Sequence, residues 1–129
     1  MQQLVKLVHQ AGLPFAYTMT TGILPLADDL LEAGVDLLYY VDPVQDTADL
    51  AAVQNKIAGR LTLAGGVNSG ITLASGTQRE IQAAVHHAVS VFGQTGRYIL
   101  APVDALFPDT PWQSVETLIS AWIDSAGVG

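Results

Sequence analysis

Short, continuous apolar runs alternate four times with stretches whose apolar residues recur every three or four positions. This alternation constrains the fold more than any other feature of the chain. Runs without a polar alternate face read as strands buried on both sides, and such strands interleaved with helices make a parallel sheet covered by helices. The pattern predicts an opening helix over Gln2–Gln10, with Leu4, Val5 and Val8 on one face and Gly12 as its stop. The first unit is then a strand over Leu13–Met19 and a helix over Ile23–Ala33 that buries Leu26, Leu30 and Leu31 and ends at Gly34. The second is a strand over Leu37–Val41, a loop Asp42–Asp46, and a helix Ala48–Ala58 capped by Asp46 or Thr47. The third is a strand over Arg60–Ala64, a loop Gly65–Gly70, an apolar stretch Ile71–Ala74, and a helix Gln78–Phe92 opened by the capping-box pair Thr77 and Glu80. The fourth is a strand over Tyr98–Ala101 and a helix Trp112–Ser125, with Thr110 as cap and Pro111 at the first helical position.

Length and composition bound what these units can build. The 129 residues suit a single domain, 1–129, with no internal linker. Half of the residues are hydrophobic, which is too many for a disordered chain. No apolar run reaches the roughly 20 residues of a membrane-spanning helix. Twelve acids against five bases give a net charge of −7, which excludes the basic face that nucleic-acid binding needs. The absence of cysteine excludes disulfides, iron–sulfur clusters and thiolate zinc sites. Met1–Lys6 lack the apolar stretch and cleavage signature of a signal peptide, so a cytoplasmic location is expected.

Parallel strand–helix units fit either an open doubly wound sheet or an arc of a (β/α)8 barrel. Four units are half of the complement found in the roughly 250 residues typical of that barrel. An isolated arc would expose two edge strands and an unfilled inner face, an arrangement that invites pairing with another body. In both arrangements sites form at the carboxyl ends of the strands. That directs attention to Tyr17–Gly22, Asp42–Asp46, Gly65–Gly70 and Pro102–Phe107.

Asp42 and Asp104 follow the second and fourth strands and are the candidate catalytic residues, as a general base or a holder of a cationic group. The competing role for each is the ordinary loop-capping aspartate. Tyr17 and Met19 alternate along a strand, which would aim both into the barrel as cavity lining or core fill. Gly65 and Gly66 lack a phosphate-loop context and read as a tight turn, with Asn68 as the best polar candidate beside them and Asn68 and Ser69 as further cavity lining. His86 and His87 are neighbours about 100° apart on one helix, so they are not a metal pair, and His9 lies on another helix. No Ser–His–Asp constellation is apparent.

Six segments, taken in order and spacing, resemble one family. They are Leu-Pro-Phe-Ala-Tyr-Thr-Met-Thr-Thr-Gly (13–22), Leu-Glu-Ala-Gly-Val-Asp (31–36), Leu-Ala-Gly-Gly-Val-Asn-Ser (63–69), Ser-Gly-Thr-Gln-Arg-Glu-Ile (75–81), Gly-Arg-Tyr-Ile-Leu (96–100) and Pro-Asp-Thr-Pro (108–111). The set resembles the C-terminal half of the uroporphyrinogen decarboxylase superfamily, which includes corrinoid-dependent and cobalamin-independent methyltransferases. The resemblance implies half of a (β/α)8 barrel, its fifth to eighth strands with the preceding helix. It implies completion by a second copy, as a homodimer, or by an N-terminal half-barrel. Three functions follow: a divergent or truncated member without autonomous activity but with a small-molecule cavity, a decarboxylase or methyltransferase completed by a partner, or a non-catalytic oligomerisation module.

The departures from the family pattern matter as much. Methyltransferases of this family hold zinc through a His-x-Cys pair and a later Cys, and the matching positions here are Tyr17, Met19 and Ser69. Phenol, thioether and hydroxyl are poor zinc ligands, so neither a metal nor a cofactor is expected. Decarboxylases carry a Gly-His pair where this chain has Val103-Asp104, and they take substrate-holding aspartate and arginine residues from the N-terminal half.

Overall fold

Four parallel strands, β1 (Ala16–Thr18), β2 (Leu37–Val41), β3 (Thr62–Asn68) and β4 (Tyr98–Val103), pair in chain order in the computed structural model, which describes residues 1–57 and 59–127. Five α-helices accompany them among the described residues: α1 (Gln2–Gln10), α2 (Ile23–Ala33), α3 (Leu50–Ile57), α4 (Gln78–Phe92) and α5 (Trp112–Ala126). A doubly wound sheet reverses its strand order at a switch point. Here the order never reverses, so the fold is α/β, an arc consistent with half of a (β/α)8 barrel.

The pleat sorts the side chains onto two faces. Tyr17, Leu38, Leu63 and Tyr98 lie in one register row across the sheet. All four pack into a core with Ile23 and Leu30 of α2, Val53 and Ile57 of α3, and Phe92 of α4. A second cluster joins Val67 and Leu73 to Ile81 and Val85 of α4 and Ala121 of α5. The adjacent row is Thr18, Tyr39, Ala64 and Ile99. Successive side chains alternate, so this row turns away from the helices. Tyr39 and Ile99 are 37% and 48% exposed on this open face.

Both outer edges are open among the described residues. Phe15 O and Met19 N bond toward β2, so by alternation the peptide groups of Ala16 and Thr18 point off the sheet. On β4, Arg97 O bonds to Leu63 N, so Tyr98, Leu100 and Pro102 point outward. Proline is tolerated there because the missing N–H would have faced away from β3.

Several predicted boundaries move for identifiable reasons. The helix after β2 begins at Leu50 rather than Ala48. Asp49 caps it, accepting from Ala51 N at 2.9 Å. Asp46 instead accepts from Gly22 N (2.5 Å) and Ile23 N (3.3 Å), tying the start of α2 to the β2 loop, and Thr47 is left in a left-handed turn. The expected last residue of this helix, Ala58, lies outside the described residues. Leu26 is exposed, because Ala27 takes the buried position on α2.

Gly65 and Gly66, read as a turn, are inside β3. Opposite them β2 bulges at Tyr40, whose φ is 71°. A side-chain carbon at Gly65 would lie 2.7 Å from Val41 N and O, so glycine is what lets the two backbones approach. After β3 comes a single π-helical turn, Ser69–Leu73. The capping box of Thr77 and Glu80 opens α4 with both reciprocal bonds in place. At α5 the cap position falls on Pro111 (φ −59°, ψ 130°) with no side-chain cap, and the Thr110 hydroxyl is buried without a partner among the described residues. No described helix is long and apolar enough to cross a membrane.

Candidate functional site

β2 and β3 run side by side, β3 extends three residues beyond the end of β2, and polar residues at the two carboxyl ends lock together. Asp42 follows β2 and is 1% exposed. Its Oδ1 accepts from Val44 N (2.8 Å) and Gln45 N (3.1 Å), turning the chain back on itself. Its Oδ2 accepts from Asn68 Nδ2 at 2.8 Å. Asn68, the last residue of β3, is equally buried, and its Oδ1 accepts from Ile71 N at 2.7 Å, holding the start of the π-helical turn. Both amide groups of Asn68 are thus used, which fixes its orientation. Beside it the Ser69 hydroxyl is fully buried and has no hydrogen-bond partner among the described residues.

The second candidate carboxylate has a different setting. Asp104 follows β4, is exposed, and sits at φ 68°. Among the described residues its Oδ1 accepts only from the adjacent Ala105 N, at 2.9 Å. Asp42 is therefore buried and satisfied by three N–H donors, whereas Asp104 keeps a solvent-facing carboxylate. A residue held in the left-handed region without being glycine carries local strain, and Tyr40, Thr47 and Asp104 all do so after or at the end of a strand.

Tyr17 and Met19 do not face the barrel interior. Both pack against the helix-side core. The cause is the pleat: β1 presents Thr18, not Tyr17, on the row shared with Tyr39 and Ile99. Tyr17 does line a cavity of about 440 Å³, but this groove lies between α1 and α2, with Met1, Gln2 and Leu26 among its walls. Tyr98, also on the helix side, donates its hydroxyl to Gly65 O at 2.9 Å, and burial raises its pKa.

Charge around the strand ends is one-sided. The connections 19–22, 42–49, 69–77 and 104–111 contain five carboxylates, Asp42, Asp46, Asp49, Asp104 and Asp109, and no Lys or Arg. Sequence reasoning missed three contributors: the strained Tyr40, the inward Thr18, and Asp46 as the tether of α2. The Tyr40 bulge had one legible sign, the glycine pair at 65–66.

The family model for uroporphyrinogen decarboxylase matches residues 1–124. The chain belongs to the uroporphyrinogen decarboxylase family. Among solved structures it is similar to a methyltransferase from Methanosarcina mazei, with a TM-score of 0.74 and 22% identity. That match covers 96% of this chain and 35% of the methyltransferase, so the chain spans about a third of that structure. No curated protein matches.

Zinc, which the methyltransferases of this family use, does not fit the donors at the corresponding positions. Tyr17 and Met19 lie in the helix-side core, and Ser69 offers only a buried hydroxyl. Among the described residues no three His, Asp or Glu side chains are grouped to hold a metal ion.

Proposed function

We propose that this chain forms one wall of an active site of the decarboxylase/methyltransferase superfamily and has no autonomous activity. The observation that carries this reading is the charge at the strand ends: five carboxylates with no base among them. A substrate bearing carboxylates would meet only like charge from this chain, and like charges close together in a site disfavour each other's ionised forms. The counter-charges must come from the body that closes the barrel. Within the wall, Asp42 is a positioning residue. It spends both oxygens on the chain's own N–H groups, and through Asn68 it fixes the entry to the π-helical turn. Asp104 is the carboxylate left to face a substrate, as a proton acceptor or an anchor for a cationic group. Asn68 and the unpartnered Ser69 hydroxyl line the same end of the sheet.

The test assays the purified chain for decarboxylation of uroporphyrinogen and, separately, for loss of a methyl group from a corrinoid-bound or thioether donor. The expected result is no turnover of either and no binding of uroporphyrin to the chain alone. Turnover by the chain alone that is abolished by Asp104→Asn would overturn the dependence on a partner while keeping the site. Turnover that survives Asp104→Asn would overturn both.

A further inference from the structure

β2 carries one residue more than β3 along the same length. Tyr39 pairs with Ala64 and Val41 with Gly65, so Tyr40 is the unpaired residue of a bulge. The extra residue changes the phase of the strand. Leu38 and Val41 both pack in the helix-side core, although they are three positions apart and a regular strand would put them on opposite faces. Between them, Tyr39 lies on the open row with Ile99, and the Tyr40 ring stands 4.7 Å from the Tyr39 ring at 58°. The bulge thus turns two consecutive tyrosines onto the open face. It is held under strain: Tyr40 has a φ of 71°, and a side-chain carbon at position 65 would strike the β2 backbone. Bulges and strained residues of this kind gather where a side chain is re-aimed toward a ligand.

Beside the tyrosines the open face is nearly bare. On β3 it offers only the methyl group of Ala64, followed by Gly65 and Gly66. On the far side β4 raises Ile99, which is 48% exposed. The result is a trough over β3, with the two phenol rings as one wall and Ile99 as the other. β2 and β4 stand two strand spacings apart, about 10 Å, so a group seated over Ala64 is about 5 Å from the strand that carries the rings. A cation is drawn to the face of an aromatic ring within roughly 6 Å of its centre.

The charge nearby selects the ligand. Asp42 follows Tyr40 by two residues, about 7 Å along the chain. It is 1% exposed, and no Lys, Arg or His pairs with it among the described residues. Aspartate is almost never fully buried unless it is paired. A metal ion answers this poorly, because both Asp42 oxygens already serve N–H donors and no group of metal-holding side chains is present among the described residues. A bulky organic cation answers it well. The ring faces attract it at short range, and the carboxylate attracts it through its field. We propose that the trough binds the methylated ammonium group of a small organic cation, with Tyr39 and Tyr40 as its aromatic wall. This names a substrate class for the active-site wall described above. It rests on that reading for placing a ligand on this face, and on the rings and the charge for the ligand's chemistry.

The test uses choline as the probe and neohexyl alcohol, in which carbon replaces the nitrogen, as its uncharged isostere. Each is titrated into the full chain while nuclear magnetic resonance follows the side-chain signals of Tyr39, Tyr40, Ala64 and Ile99. Choline is expected to shift these signals saturably, and the alcohol to bind about tenfold more weakly. Tyr39→Leu is expected to weaken choline binding about three- to tenfold, and Tyr39→Phe to leave it within about twofold, because the ring face and not the hydroxyl makes the contact. Equal binding of choline and the alcohol, or no saturable shift with choline, overturns the proposal. A folded Tyr39→Leu variant that binds choline like the parent overturns the aromatic wall. Where that variant does not fold, the comparison of the two ligands decides alone. A trimethyl-lysine peptide is the last arm, and tighter binding than choline would place the ammonium group on a macromolecule and overturn the small-molecule assignment. Every readout is binding, so turnover by the chain alone would sink the proposed function and leave this inference standing. Failure of choline to bind would do the reverse.

Discussion

The buried bond between Asp42 and Asn68 makes a quantitative claim that a double-mutant cycle can reach. Asp42→Ala takes the acceptor from three N–H groups: Val44 N, Gln45 N and Asn68 Nδ2. The first two belong to exposed residues and regain water, so each loses only about 1 kcal/mol. The Asn68 amide is 2% exposed and stays dry. Losing a charge-assisted bond there costs about 1.5–3 kcal/mol, which brings the total to about 3–5 kcal/mol. Asn68→Ala removes the same bond and also strands Ile71 N, for about 2–4 kcal/mol. The double variant should fall short of the sum by the shared bond, a coupling of about 1.5–3 kcal/mol. Urea unfolding followed by far-ultraviolet circular dichroism measures each corner, and Asp42→Ala should move the midpoint by about 2 M. A coupling within about 0.5 kcal/mol of zero would refute the reasoning. Asp42 would then be a carboxylate not committed to Asn68, and the general-base role would return to it.

Three further outcomes follow from particular contacts. Gly65→Ala combines a left-handed φ of 136° with a carbon 2.7 Å from Val41 N and O, and should cost about 2–6 kcal/mol in urea unfolding; a loss under 1 kcal/mol would mean that the bulge is not held by this approach. Thr110→Val replaces a buried, unpartnered hydroxyl by a methyl group and should be neutral or stabilise by about 1 kcal/mol, whereas a clear loss would reveal a hidden partner for the hydroxyl. Phe15 N–H and then His9 hold the Asp36 carboxyl below its usual 3.8, so Asp36 contributes stability that is present above pH 3.8 and is lost as the pH falls through its lower folded value. Asp36→Asn should flatten that acid limb in a series of unfolding midpoints, and an unchanged pH profile would sink the assignment.

Much of the fold was legible because hydrophobic periodicity reports which surfaces are buried, here the helix side of the sheet and the inner faces of the helices, although only β3 is buried along nearly its whole length. α2 and α4 begin and end where their patterns and caps predict, with Gly34 and the Thr77–Glu80 pair as their signals. The capping of α3 was not legible. The sequence points to Asp46 or Thr47, whereas Asp49 is the cap, and a contact 24 positions away, from Asp46 to Gly22, takes Asp46 out of that role. The extent of β3 was hidden for a similar reason. Gly65 and Gly66 signal a turn when read locally, but here they accommodate the bulge in β2 and the Tyr98 ring. Of the candidate site, Asp42 and Asn68 were each legible as polar residues after a strand, but Asp42 was coupled with Asp104, and the bond between Asp42 and Asn68 rests on an extension of β3 that no local pattern displays.

The facing of β1 was the most consequential error, because a slip of one residue sends every side chain of a strand to the opposite face. Alternation alone gives two sets, Tyr17 with Met19 or Thr18 with Thr20, and says nothing about which is inward. Packing decides: a tyrosine and a methionine bury more apolar area than two threonines, and the core between sheet and helices offers them Leu30 of α2 with Leu38 and Leu63 of the neighbouring strands. The inward set therefore supplies hydroxyls where phenol and thioether were expected. Neither set contains an imidazole or a thiolate, the donors that hold zinc in this family's methyltransferases. The mismatch with zinc chemistry is thus a property of the residue types along 17–20 and survives the change of face.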